Sequence, residues 1–260
     1  MRNVTKLLEI SLVWLVATYA HADTVSLYAA AGVKAPAEEI IQAFVLQTGH
    51  KVVRLYDTAG EAETRFVANS LGGVLITTEV RIKKASAVGG KLVDGTTRRV
   101  GDTLAGVAIS RKFKANGNAA SLMNIGLATD LKHVILAANS IAFSDPARGA
   151  TVGVHFVQVI ERLGIKDAVL AKSRIAKDGI ETMKWVASGE VDIGITQMSE
   201  ILQTDPALLL GAFPLELELA TRYSSWIGVD ASPAARDLAA AFESDAGRAV
   251  LAKHGLRVPN

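Results

Sequence analysis

In the first hundred residues after about residue 23, hydrophobic and polar positions repeat with two different periods, one typical of strands and one typical of helices. Short β-rich runs, VSLYAA, KVVRLY and GVLITT, are separated by the helical patterns PAEEIIQAFVLQTG and GEAETRFVANS. Strands that alternate with helices predict βαβ units, which build a parallel sheet covered by helices. Gly49 directly follows the first helical pattern, at the position where helices commonly end in a glycine.

A second series of the same kind begins near Leu104. It runs through LAGVAIS, a helix between Ala119 and Ala138, the strand SIAFS, the helix VGVHFVQVIERLG, a strand in AVLAKSRIA, the helix GIETMKWVAS and the strand VDIGIT. Two series without a long linker predict two α/β lobes, each a mostly parallel sheet flanked by helices, with a ligand cleft between them. ATRYSSWIGV and two closing helices then return to the first lobe. We expect lobe 1 to comprise residues 23–103 and 221–260, and lobe 2 residues 104–220, joined by more than one crossing.

The first 22 residues differ from the rest of the chain. Arg2 and Lys6 precede an apolar stretch that closes in Ala20-His21-Ala22, a pattern that signal peptidase accepts. We interpret residues 1–22 as a signal peptide cleaved after Ala22, which predicts a periplasmic protein. Glu9 interrupts the apolar stretch, so a retained membrane anchor is the alternative, although the stretch is short for a bilayer span.

Composition excludes several classes of function. The net charge is only +2 and no run of Lys or Arg exceeds two residues, which argues against nucleic-acid binding and against a polybasic membrane patch. The absence of cysteine excludes disulfides, thiolate metal sites and a lipid-modified cysteine. The five histidines lack metal-ligand spacing, so we expect no metal and no cofactor. We expect a monomer.

The segment SIAFSDPARGATVGVHFVQVIERLGI indicates an anion site. A buried strand brings Ser144 and Asp145 to its carboxyl end, and the N-terminus of the following helix presents unpaired N–H groups there. Ligands of open α/β sheets bind at this edge. The alternative is a capped turn without a ligand, in which Ser144 and Asp145 cap the helix that follows Pro146.

Four segments together resemble the molybdate-binding-protein-like family of periplasmic solute-binding proteins of ABC importers. They are LYAAAGVKAPAEEIIQAFVLQTGHKV, SDPARGATVGVHFVQVIERLGI, ASGEVDIGI and AARDLAAAFESDAGRAVLAKHGL. The resemblance covers essentially the whole chain after the signal peptide. It implies two lobes that close on a small anion by hinge motion, and an ABC permease or a membrane receptor as partner.

The resemblance also implies where a ligand binds, and this chain departs from the family there. Gly32 replaces a serine of the first loop, Thr58 is the one hydroxyl of the second loop, which also brings Asp57, and Gln197 replaces a tyrosine. These changes argue against molybdate and tungstate and favour a larger pocket for a di- or tricarboxylate, held by Lys34, Arg148 and Gln197. Another small oxyanion is the alternative ligand. The predicted ligand-binding residues are Gly32, Lys34, Thr58, Ser144, Arg148, Val152, Gly153, Gly179 and Gln197.

The sequence leaves carrier and enzyme open. G-V-K in the first loop, S-D-P before the middle helix and Q-x-S-E after VDIGI resemble a divergent branch of the family, which includes periplasmic aconitate isomerase. Such an isomerase must move a proton along a three-carbon unit, for which His155 and Glu200 are the candidate groups. A packed or surface histidine and a carboxylate that complements a helix dipole are the alternatives. A sensor that presents its ligand to a membrane receptor would use the same pocket.

Overall fold

The computed structural model describes residues 22–69, 72–87, 96–115 and 125–258, so the predicted signal peptide lies outside it except for Ala22. The strands are β1 Thr24–Ala30, β2 Lys51–Asp57, β3 Val74–Thr78, β4 Arg98–Ile109, β5 Ile141–Ser144, β6 Ser173–Ala176, β7 Ile193–Gln197, β8 Leu209–Ala212 and β9 Ala220–Ile227. The helices are α1 Lys34–Thr48, α2 Ala59–Asn69, α3 Glu79–Ala87, α4 Arg111–Ala115, α5 Ala128–Ala137, α6 Thr151–Arg162, α7 Lys166–Leu170, α8 Gly179–Ser188, α9 Met198–Thr204, α10 Pro233–Glu243 and α11 Asp245–Lys253.

The strands form one mixed sheet in the order β2-β1-β3-β9-β4-β7-β5-β6, and β8 also pairs with β4. β1 is parallel to β2 and β3, and β5 is parallel to β6 and β7, as the βαβ pattern predicts. β9 runs antiparallel to both of its neighbours, β3 and β4. The α/β class and the parallel pairings predicted from the sequence are therefore confirmed, and β4 joins the two halves of the sheet.

The crossing between the halves occurs inside β4. Its residues up to Leu104 pair with β9, whereas those from Ala105 onward pair with β7. The chain crosses a second time between Leu219 and Ala220, where the amide of Ala105 donates to the carbonyl of Leu219 over 2.9 Å. The buried hydrophobic clusters follow the same division. Two of them consist of residues within 25–100 and 223–256, and the other two consist of residues within 105–217. We propose the boundaries given above for these bodies, called lobe 1 and lobe 2 below.

Local signals of the sequence explain several element ends. Gly49 adopts the left-handed conformation, with φ of 73°, directly after α1, which confirms the predicted stop. The helix expected between Ala119 and Ala138 is α5, and residues 116–124 lie outside the described part.

Within the described residues no helix combines the length and apolarity that crossing a membrane requires.

Candidate functional site

A small cavity lies between the lobes, at the carboxyl ends of β1, β2, β5 and β7. Its volume is about 30 Å³, room for little more than a small ion. The residues that line it are Ala30, Ala31, Gly32, Asp57, Thr58, Ala59, Ser144, Ala150, Thr151, Val152, Gly179, Thr196, Gln197, Glu200 and Tyr223. Six of the nine predicted ligand-binding residues are among them: Gly32, Thr58, Ser144, Val152, Gly179 and Gln197.

Helices from both lobes begin at this cavity. α2, α6, α8, α9 and the 3-10 turn Ala31–Val33 all place first-turn or N-cap residues in its wall. Ala150 precedes α6 and Ala30 precedes the 3-10 turn, and neither has a side chain that accepts a hydrogen bond. The first N–H groups of these two segments are therefore left for a ligand, and each helix start adds a partial positive charge.

The loop before α6 differs in detail from its sequence interpretation. Asp145 caps the short 3-10 turn Pro146–Arg148, accepting from the amide of Ala147 over 2.8 Å, and α6 itself begins only at Thr151. Ser144 does not cap a helix: its hydroxyl lies 3.5 Å from that of Thr182.

Gly153, predicted to bind ligand, does not line the cavity. A Cβ at this position would collide with the carbonyl oxygen of Ser144, so the glycine permits close packing of α6 against β5. This predicted contact is corrected to a packing position.

Arg148, another predicted ligand contact, instead connects the lobes. Its Nη2 lies 2.9 and 3.0 Å from the two carboxylate oxygens of Asp57, and its Nε donates to the carbonyl of Lys177. The hydroxyl of Thr58 donates to the backbone carbonyl of Arg148 across the same gap. The cation is therefore committed to Asp57 and does not reach the cavity wall, and Asp57 is neutralised where an anion would meet it.

Lys34 also lies outside the cavity. It lines an adjoining groove with Gln203, and its Nζ stands 5.8 Å from the ring centre of Tyr56. Beside it, Gln203 of lobe 2 accepts from the amide of Ala35 over 3.0 Å and donates to the carbonyl of Ala31. Lys34 is therefore not among the residues that line the cavity, and the lobes are joined here by Gln203.

His155 faces away from the cleft. Its Nε2 lies 2.8 Å from the carbonyl oxygen of Leu217, and its ring packs 6.0 Å from that of Phe213. This placement inside lobe 2 removes His155 as a proton-transfer group for anything bound in the cavity, so the packed alternative applies.

Glu200 is the acidic side chain of the cavity that no cation of the described residues neutralises. It is 5% exposed, and its Oε2 accepts from the hydroxyl of Thr196 and from the amide of Gln197. Burial raises the pKa of Glu200 from its ordinary 4.5 to about 7, and the nearby charge of Asp178 acts in the same direction. The carboxylate rests against Gly179, where a Cβ would collide with it.

Tyr223 is one of the cavity residues that sequence reasoning missed, as are Thr151 and Thr196. It reaches the site from β9, is 2% exposed, and its hydroxyl occupies the space that a side chain at Gly32 would need. Gln197 donates to the hydroxyl of Thr221 over 2.9 Å, while its own amide oxygen is buried without a partner. A hydroxyl from a different strand thus stands near the position of the family serine.

The wall of the cavity differs from the expected carboxylate pocket. The expected larger pocket is wrong for this conformation, because the cavity volume is about 30 Å³ and no Lys, Arg or His of the described residues lines it. The same residues contain no group of three or more His, Asp or Glu side chains that could hold a metal ion. What the site offers is backbone N–H groups, hydroxyls and one unpaired carboxylate.

Comparison with known proteins agrees with this architecture. Residues 25–257 match the model of a family described as bacterial extracellular solute-binding protein. The molybdate-binding protein ModA of Rhodobacter capsulatus is 25% identical over 195 residues, which cover 74% of this chain and 71% of that protein.

Two solved structures show the same fold. The periplasmic molybdate-binding protein of Azotobacter vinelandii has a TM-score of 0.72 at 19% identity, over 91% of this chain and all of the other. The sulfate-binding protein SubI of Mycobacterium tuberculosis has a TM-score of 0.66 at 16% identity, over 90% and 86% of the two chains.

Proposed function

This chain belongs to the family of bacterial extracellular solute-binding proteins, and from that premise we propose that it captures a small anion between its lobes and delivers it to an ABC-type importer. We place its action in the periplasm after cleavage behind Ala22, since residues 1–22 have the pattern of a signal peptide. The ABC partner is supported by the family and by the molybdate- and sulfate-binding relatives.

One observation carries the proposal: uncapped helix starts from both lobes meet around one small cavity. Backbone N–H groups at helix N-termini bind anions without a counter-charge from a side chain. The size of the cavity and the absence of a lining cation among the described residues favour a small oxyanion over the di- or tricarboxylate expected from the sequence.

Replacement of Thr151 by proline tests these backbone donors. Proline at the first position of a helix keeps the fold but removes one N–H group, and Ala150 before it already has the extended conformation that proline requires, with ψ of 114°. A lost hydrogen bond to a charged ligand costs about 1.5–3 kcal/mol, so we expect Thr151→Pro to bind anion about 10- to 100-fold more weakly. Titration calorimetry against molybdate, sulfate, hydrogen phosphate, citrate and both aconitate isomers measures this.

The matched control is Asp245→Pro. Asp245 is the first residue of α11, far from the cavity wall, and Ser244 before it has ψ of 158°. The control should bind like the wild type. Equal binding by Thr151→Pro and the wild type would contradict the role of α6, and the absence of binding to every anion would contradict the function.

An isomerase is the second candidate, because the buried carboxylate of Glu200 faces the cavity with a pKa of about 7. In that reaction Glu200 would remove a proton from the methylene carbon of trans-aconitate, the double bond would shift by one carbon, and Glu200, after exchanging that proton with solvent, would return a proton to the former alkene carbon. Proton NMR in D₂O would show cis-aconitate with deuterium at that carbon, and Glu200→Gln should abolish it. An unchanged spectrum with the wild type would exclude this candidate.

A further inference from the structure

The cavity combines positive helix starts with a carboxylate that has no positive partner. Asp57, the other acidic residue of the wall, is paired with Arg148, whereas no ion pair joins Glu200 to any cation of the described residues. Glu200 therefore competes with an incoming anion for the same positive helix ends.

The position of this carboxylate is tightly defined. Thr196 and the amide of Gln197 both donate to Oε2, and Gly179 lies against the carboxylate from the other side. Both hydrogen bonds to the carboxylate among the described residues go to Oε2 and none to Oε1. The amide oxygen of Gln197 in the same wall is buried without a donor. The wall thus presents two hydrogen-bond acceptors, on Glu200 and Gln197, to an anion whose oxygens are also hydrogen-bond acceptors.

We propose, on the basis of the function proposed above, that Glu200 selects an oxyanion that carries its own proton over one that is fully deprotonated. The O–H of a ligand such as hydrogen phosphate donates to Glu200, while its remaining oxygens accept from the N–H groups of α6 and the 3-10 turn. A fully deprotonated oxyanion such as sulfate places lone pairs against the carboxylate, so it binds only when Glu200 first takes up a proton.

The charges around Glu200 are consistent with the uptake of a proton by Glu200 when a fully deprotonated oxyanion binds. The titratable groups that face Glu200 are Asp178 at the start of α8 and Tyr223 on β9, and burial raises the pKa of both. Both are uncharged or negative, so neither neutralises Glu200. Arg148 is held by Asp57, and Lys34 stands over Tyr56 in the adjoining groove.

The test compares phosphate with sulfate, two tetrahedral anions of similar size that differ in the O–H group. Calorimetric titration of the mature full-length protein at pH 8 should show at least a 10-fold preference for phosphate. Glu200→Gln replaces one acceptor by an N–H donor and should strengthen sulfate binding at least 10-fold, which removes the preference. Glu181→Gln, a carboxylate of α8 that does not line the cavity, is the control and should keep the wild-type ratio.

A second measurement needs no variant. Sulfate binding by the wild type should strengthen as the pH falls from 8 to 6, because Glu200 becomes protonated in that range. Two results would contradict selection by Glu200: equal affinity for phosphate and sulfate at pH 8, or a ratio of the two affinities that Glu200→Gln leaves unchanged. Neither result would contradict the proposal that the protein captures an anion. Failure of every tested anion to bind would overturn both.

Discussion

At the scale of single residues, the burial of Glu200 makes the stability of the fold depend on pH. The folded state holds the proton of Glu200 up to about pH 7, whereas the unfolded chain releases it near 4.5. Because the folded-state pKa is the higher one, this group lowers the free energy of unfolding as the pH rises from about 4.5 to 7. A difference of this size corresponds to about 3 kcal/mol.

We therefore expect Glu200→Gln to be more stable than the wild type at pH 8 and to lose most of the advantage at pH 5. Urea unfolding of both proteins at the two pH values measures the difference, and glutamine still accepts from Thr196, so packing is preserved. A variant that is destabilised equally at both pH values would indicate that the ionised carboxylate is needed for the fold.

Residue types at the strand ends predicted most of the cavity wall but not the orientation of its longer side chains. Gly32, Thr58 and Gly179 line the cavity because the backbone places them there. Arg148 has a long stem that reaches Asp57 of the other lobe, and no spacing within the sequence reveals that partner. Tyr223 enters from a strand about 190 residues after Gly32, so only the folded sheet brings the two together.

At the scale of elements, Asp178 at the start of α8 has both a structural and an electrostatic role. Its carboxylate accepts from the amide of Glu181 over 2.8 Å as the N-cap, and its charge raises the pKa of the neighbouring Glu200. Substitution of Asp178 by asparagine separates these two roles, because asparagine caps a helix about as well as aspartate but carries no charge.

Asp178→Asn should keep the melting temperature at pH 5 and lower the pKa of Glu200, which weakens the loss of stability between pH 5 and 8. Asp178→Ala also lacks the charge and should have the same weaker pH dependence, but it should be about 1 kcal/mol less stable than Asp178→Asn at every pH through loss of the cap. Urea unfolding between pH 5 and 8 follows both variants. Identical pH profiles for Asp178→Asn and the wild type would show that its charge does not reach Glu200.

Elements with a clear period and a clear stop were predictable. α1 ends at Gly49, and the parallel pairs β1 with β2 and β5 with β6 follow from the βαβ pattern. The predicted helix VGVHFVQVIERLG is α6, which begins one residue earlier, at Thr151. The alternative in which Ser144 and Asp145 cap this helix is wrong, because Pro146 opens a separate 3-10 turn that ends at Gly149, with φ of 72°. A proline marks a helix start well, but it does not distinguish one turn from four.

At the scale of the whole molecule, closure depends on contacts that flank the cavity on two sides. Asp57, Thr58 and Arg148 join the lobes on one side, and Gln203 joins lobe 2 to Ala31 and Ala35 on the other. Arg148 is about a third exposed, so the ion pair contributes modestly, and its place between two moving bodies matters more than its strength.

We expect Asp57→Asn to bind anion about 2- to 5-fold more weakly and to have a larger radius of gyration without ligand, because closure loses about 0.5–1 kcal/mol. Titration calorimetry and small-angle X-ray scattering measure the two effects. The control is Glu190→Gln, which breaks the ion pair with Arg174 inside lobe 2 and should change neither quantity. Unchanged affinity and radius in Asp57→Asn would show that the pair does not hold the lobes together.

The position of β9 has a consequence for the order in which the chain folds. Lobe 2 is continuous along the chain, so it can assemble before residues 220–227 have joined the sheet. Lobe 1 must wait, because its last strand belongs between β3 and β4, in the interior of the sheet. Until that strand is in place, β3 and β4 expose open edges on which a chaperone or a second copy of the chain can pair.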